Sequence, residues 1–291
     1  MPKKIQNSFY TKPIPLETNE IKALISLLDD NDQEVANMVE KKIKSLGAMM
    51  IPFLTNQWQS SFNPLQQKRI EEIVQELQFK QLVEQLGEWK NSESEDLLKG
   101  MWLIATYLHP DLSLQKFREQ FNDLYFEAWL AFKPEMHPTD QIKTLNHVFF
   151  TKLKFGYNTK NLHSTANSML NTVMDSKMGN PISLCVIYML IAQRLNVPIY
   201  GVNLPNLFVL TYKTEQLQFY INVFNKGLVF AKNDIDNFIA QLKLPPTESF
   251  YQPCSNLDII KRVLRNLIFA YEKTSETDHQ AAIEKLIKVL G

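Results

Sequence analysis

Two cysteines and five histidines are the side chains here whose ordinary pKa values lie nearest neutral pH, and so are first candidates for a nucleophile and a general base. Cys185 and Cys254 show neither the spacing of a metal site nor that of a disulfide framework, so neither a metal nor a cofactor is expected. Cys185 falls in the most apolar stretch of the chain, residues 182–192. If Asn180 caps the helix there, Cys185 sits about one turn inside it, beyond the reach of the helix dipole. It therefore reads as a small buried core residue rather than a reactive thiol. His109 and His137 precede prolines and read as turn residues. His147 lies in a helical stretch and reads as half-buried and hydrogen-bonded, and His279 starts the last helix. His163, in a polar loop ahead of the apolar helix, is the histidine placed to approach a cleft. Asn158, Lys160 and Asn161 share that loop, and Asn203 and Asn206 lie between two apolar runs further on. Loop asparagines usually hold turns with their own side chains. The alternative is that these residues frame a cleft for a peptide or small ligand.

The rest of the composition narrows the class. Of 291 residues, 45% are hydrophobic and 21% charged, enough to bury a core, and lysine plus arginine balance aspartate plus glutamate at 31 each. A formal charge of zero gives no global field toward nucleic acid or an anionic membrane surface. The start, Met-Pro-Lys-Lys-Ile-Gln-Asn, has no apolar stretch behind its lysines, and no window is long and apolar enough for a membrane span. The expectation is a cytoplasmic protein that binds neither nucleic acid nor membrane.

Elements able to position such residues can be read from periodicity. Ile21, Leu24, Ile25, Leu27 and Leu28 mark one short helix, closed by Asp29-Asp30-Asn31-Asp32. Asn31 with Glu34 reads as a capping box for the next, whose stripe is Val35, Met38, Val39, Ile43 and Leu46 before Gly47. Asn63-Pro64 opens another, with Leu65, Ile70, Ile73, Val74 and Leu77 on its apolar face. The pattern resembles one HEAT repeat, or a small helical cap. Helices are expected over residues 95–129, 139–153 and 168–176, and Gly179-Asn180-Pro181 opens a helix apolar on every side, hence buried on every side. Strands are expected at 197–203, 208–213 and 217–223, the last two as a hairpin, with a short edge at 227–230. Ser255 with Asp258 caps the first of two closing helices, a pair like a single tetratricopeptide hairpin. The expected class is α+β and mostly helical, with a helical cap at 1–90, a core at 91–250 and a helix pair at 251–291.

Several segments in fixed order resemble a known family. They are Thr139-Asp140-Gln141-Ile142, Leu145-Asn146-His147, Asn158-Thr159-Lys160-Asn161 and Asn167-Ser168-Met169-Leu170-Asn171. Then come Gly179-Asn180-Pro181-Ile182-Ser183-Leu184, Gly201-Val202-Asn203-Leu204-Pro205, Phe219-Tyr220-Ile221-Asn222 and Arg265-Asn266-Leu267. Together they look like the bacterial SirB-type transglutaminase-like proteins. The resemblance implies a papain-like α+β core, a central helix on an antiparallel sheet.

Active members of that superfamily place a cysteine at the start of the helix, a histidine on a neighbouring strand and an aspartate on the next. The helix terminus and imidazole lower the thiol pKa, and the carboxylate orients the imidazole. Where relatives show Gly-His-Phe, this chain has Asn206-Leu207-Phe208, and a leucine moves no proton. Where they show Ile-Asp-Pro-Phe it has Ile221-Asn222-Val223-Phe224. An amide can orient an imidazole, as in papain-like proteases, but Leu207 leaves none to orient. Pro181 or Ile182 stands nearer than Cys185 to the nucleophile position. The resemblance thus implies no catalytic residue at the degenerate positions Cys185, Leu207 and Asn222. The expected activity is that of a binding or scaffold module for a protein or peptide not identified by sequence. The alternative is a thiol-dependent acyltransferase or peptidase using Cys185.

Overall fold

A computed structural model describes residues 18–291 apart from 31, 134, 160, 162 and 163. The chain clusters into two compact units, Met1–Gln81 and Leu82–Gly291.

The first unit contains α1 (Thr18–Ser26), α2 (Gln33–Leu46), α3 (Ile51–Ser60) and the start of α4 (Pro64–Glu88). Its core is Ile21, Ile25 and Leu28, then Val39, Ile43, Met50 and Leu54, then Ile70, Ile73 and Leu77. The expected cap of α2 is corrected by one residue. Asn31 lies outside the described residues, and Asp32 holds the helix, its carboxylate accepting from Glu34 N at 2.9 Å. Asn63 does cap α4, accepting from Leu65 N at 3.0 Å. Leu65 itself is 80% exposed and so leaves the apolar face assigned to it.

The second unit is helical at both ends with a sheet between. Trp89–Glu93 is a π-helical turn, followed by α5 (Leu97–Thr106) and α6 (Leu114–Ala131). The single helix expected over 95–129 is thus two. The chain turns through His109-Pro110 and restarts at Ser113, whose hydroxyl accepts from Lys116 N. α7 (Pro138–Asn146) passes into a π-helical turn, His147–Lys152. His147 is exposed there, not half-buried. A two-residue parallel bridge joins β1 (Gly156–Tyr157) to β2 (Met178–Gly179) on either side of α8 (Leu170–Ser176). Next come α9 (Pro181–Arg194), then β3 (Ile199–Leu204), β4 (Leu207–Lys213), β5 (Gln218–Asn222) and β6 (Leu228–Phe230) as one antiparallel sheet in chain order. α10 (Lys232–Gln241), which periodicity did not reveal, follows, and α11 (Asn256–Thr274) and α12 (Thr277–Leu290) close the chain. The result is mostly helical α+β.

Register divides the sheet into two faces, because successive strand residues point to opposite sides. Pairings Leu204 with Leu207 and Val202 with Val209 put these four on one face, with Tyr220. Ile235 and Ile239 of α10 and Tyr251 cover that face, and Leu207, Phe230, Phe238 and Phe250 pack against them. Gly201 pairs with Leu210 and belongs to the other face. A Cβ on Gly201 would come within 2.6 Å of the Phe208 ring and 3.3 Å of Ile259 on α11, so this close approach requires glycine. α9 packs along β3 and β4.

The reason for the central helix is its sequence. Ten of its fourteen residues, from Ile182 to Ala192, are buried. Asn180 starts it with a reciprocal cap: its side-chain oxygen accepts from Ser183 N at 3.0 Å, and Ser183 Oγ accepts from Asn180 N at 3.1 Å. Pro181 at the first position gives up no hydrogen bond, since that N–H has no helical partner.

Asn180→Ala should lower stability by about 1–2 kcal/mol, the usual cost of losing a helix cap, measured by urea unfolding. Ile259, Ile260, Val263, Leu264 and Leu267 of α11 are each at most 1% exposed. A chain ending at residue 254 should therefore show no cooperative unfolding transition, which a calorimetric scan would detect.

Candidate functional site

The N-terminus of α9 is wrapped by amides. Asn180 Nδ2 donates to Ser168 Oγ at 2.8 Å, and Asn180 N donates to Asn167 O at 3.4 Å. Asn167, 3% exposed, accepts from Asn158 Nδ2 at 2.9 Å and donates to Asn161 O at 2.7 Å. Asn161 N donates to Asn158 Oδ1 at 3.2 Å, and Asn158 N to Gly179 O at 3.3 Å. Asn158 and Asn161 thus bond to their own loop and to the helix start. Among the N–H groups that a helix N-terminus offers an anion or a developing oxyanion, that of Ser183 donates to Asn180 Oδ1 and that of Leu184 to Asn180 O, while Pro181 has none. Lys160 and His163 lie outside the described residues.

Cys185 sits deeper. It is 0% exposed, and its thiol donates weakly to Phe208 O at 3.7 Å. Burial pushes its pKa well above the usual thiol range, and the Val223 N–H facing the sulfur opposes that only weakly. The sulfur therefore touches the backbone of the residue following Leu207 and of the residue following Asn222. The fold thus brings the positions of Cys185, Leu207 and Asn222 close together through main chain.

Leu207 is committed elsewhere: it packs with the cluster under α10. Asn222 Oδ1 accepts from Asn225 N at 3.1 Å, and its carbonyl accepts from Asn225 N and Gly227 N, so this amide builds the β5–β6 turn. Asn206 takes the left-handed conformation, φ 58°, in the turn between β3 and β4. Asn203 Oδ1 accepts from Arg262 Nη1 at 3.0 Å.

Residues outside the sequence reading complete the surroundings. Asn146 bridges α9 and the β5–β6 turn: Tyr188 Oη donates to its Oδ1 at 2.9 Å, and its Nδ2 donates to Gly227 O at 3.0 Å. A Cβ on Gly227, φ +74°, would fall within 1.9 Å of Asn146 Oδ1. Tyr157 of β1 meets Phe224 edge-on with ring centroids 4.4 Å apart. Asn146 stood inside a matched segment, but nothing in the sequence pointed to its partner. Among the histidines, His137 Nδ1 caps α7 weakly, accepting from Thr139 N at 3.4 Å. His279 stacks on Tyr271, with Nδ1 2.6 Å from Tyr107 Oη. Among the described residues no group of three or more His, Cys, Asp or Glu could hold a metal ion.

A family model described as the transglutaminase-like superfamily matches residues 115–265, just over half of the chain. The chain belongs to this superfamily. The UPF0162 protein of Xylella fastidiosa (strain 9a5c) is 25% identical over 212 residues, covering 69% of this chain and 74% of the relative. Human F-box only protein 21 is 26% identical over 204 residues, covering 60% of this chain but 32% of that protein. The UPF0162 protein of Vibrio cholerae is 21% identical over 138 residues, 47% of this chain and 51% of the relative. No solved structure matches. No described helix of this transglutaminase-like chain is long and apolar enough to cross a membrane.

Because the folded Cys185 holds its proton to higher pH than the unfolded thiol, which titrates near 8.5, unfolding releases a proton above that pH. Its contribution to stability is complete below about pH 8.5 and declines as pH rises further. Urea unfolding between pH 8 and 10 should show falling stability, with a shallower slope in Cys185→Ala.

Proposed function

We propose that this chain is a catalytically inactive, SirB-type transglutaminase-like protein that works in the cytoplasm as a protein- or ligand-binding or scaffold module. On this reading it has a HEAT-like cap over residues 1–90, a core over 91–250 and a tetratricopeptide-like pair over 251–291, and it uses no cofactor. The observation that carries the reading is the burial of Cys185. A nucleophilic thiol must ionise and meet its substrate. This one is fully enclosed, with its pKa raised by that enclosure, and its neighbours at the base and orienting positions are an apolar Leu207 and an Asn222 occupied in a turn. Recurrence of the same stretch within a third of an F-box only protein supports a module that serves in different contexts.

The competing reading, a thiol acyltransferase or peptidase, makes the opposite demand on Cys185. Iodoacetamide treatment of the native protein followed by peptide mass mapping should leave Cys185 unmodified, with labelling appearing only in denaturant. Native labelling with a thiolate titrating well below about 8.5 would overturn the inactive reading.

A further inference from the structure

The outer face of α11 carries Lys261, Arg262 and Arg265, with the two arginines one turn apart. Arg262 is half-buried against the β3–β4 turn. Its Nη1 donates to Asn203 Oδ1 at 3.0 Å and to Leu204 O at 3.2 Å. Both partners are neutral. Among the described residues no carboxylate comes within ion-pair distance of Arg262 or Arg265. Asp258, one turn away, is engaged in capping: its Oδ2 accepts from Ser255 N and Ser255 Oγ.

A guanidinium has five N–H donors in a fixed planar fork. Nη1 supplies two of them to the turn. Nε and Nη2 keep three with no acceptor among the described residues, and the Asn203 side chain, whose Oδ1 accepts one bond from Arg262, keeps both amide donors. The site is therefore rich in unmet donors and carries positive charge that no carboxylate among the described residues neutralises at ion-pair distance. Partial burial and neighbouring Arg265 both work against the charge on Arg262, lowering its pKa from the ordinary arginine value. Such an arrangement is relieved by an incoming oxyanion that satisfies the fork and the charge together.

We propose that Arg262, Arg265 and Asn203 form a recognition site for a carboxylate on an acidic peptide segment, beside the β3–β4 turn that precedes Leu207. The planar fork matches a carboxylate bidentately, and the open side of Arg265 accommodates a second acidic side chain. A glycine-rich backbone cradle of the kind that surrounds phosphates is absent from the described residues around this turn. The proposal rests on the binding-module reading and names its ligand class. The alkylation of Cys185 decides that reading separately, so failure here removes the site and leaves the reading standing.

The test is isothermal titration of the full chain with an N-acetylated, C-amidated peptide carrying three glutamates between glycines. Its glutamine counterpart and sodium phosphate serve as the other arms. The glutamate peptide should bind saturably, weaken as sodium chloride rises, and lose about tenfold or more in affinity in Arg265→Ala and in Arg262→Lys. Arg265 is exposed with no hydrogen-bonding partner among the described residues, so its replacement should leave the circular dichroism and the melting temperature unchanged. No saturable binding, equal binding of the glutamine peptide, or affinity unchanged in both variants would overturn the site. Phosphate binding as tightly as the peptide would overturn the carboxylate assignment.

Discussion

A helix that is apolar on every side can exist in water only if something encloses it completely. α9 meets that condition, and much of the second unit follows from it. The sheet packs along its length, the α7 end and its π-helical turn reach it through Asn146 and Phe149, and the asparagine loop closes its N-terminus. Enclosing the helix also buries Cys185, which lies in the stretch where that enclosure is complete. The helix start itself carries Pro181 and is wrapped by the amides of Asn158, Asn167 and Asn180. Burial of Cys185 and the wrapping of the helix start are thus two aspects of one packing solution.

Much of that solution was legible in the sequence because its signals are local. Asn180 before Pro181 marked the start of the central helix, and Ser255 with Asp258 specified the cap of another. The strands announced themselves by short β-branched and aromatic runs around a polar turn. What was missed depended on tertiary context. α10 offers Ile235, Phe238 and Ile239 as its large apolar residues in a polar segment, and their role emerges once the sheet face beneath them exists. The two-residue bridge of β1 and β2 is too short to leave any periodicity. His109-Pro110 read as a turn residue pair, yet the aromatic density on both sides suggested one continuous helix.

The site shows the same division. That Leu207 and Asn222 cannot move protons follows from their identity alone. That Asn222 spends its side chain on the next turn, and that Leu207 packs toward α10, required the register of the sheet. Arg262 is the sharpest case. On an amphipathic helix an arginine among other basic residues reads as part of a solvated face, and only the fold brings Asn203 and the Leu204 carbonyl beneath it.

The buried amide of Asn167 has one further consequence, in time rather than in space. Its nitrogen faces the Asn161 carbonyl and its oxygen faces the Asn158 amide, so only one orientation satisfies both neighbours. Hydrolysis of that amide to a carboxylate would set oxygen against oxygen beneath the start of the central helix. The bonds that hold the side chain also keep it from the backbone attack through which such deamidation proceeds. Chemical ageing at this position is therefore governed by how often the loop opens, and the slow appearance of aspartate there would act as a clock for that opening.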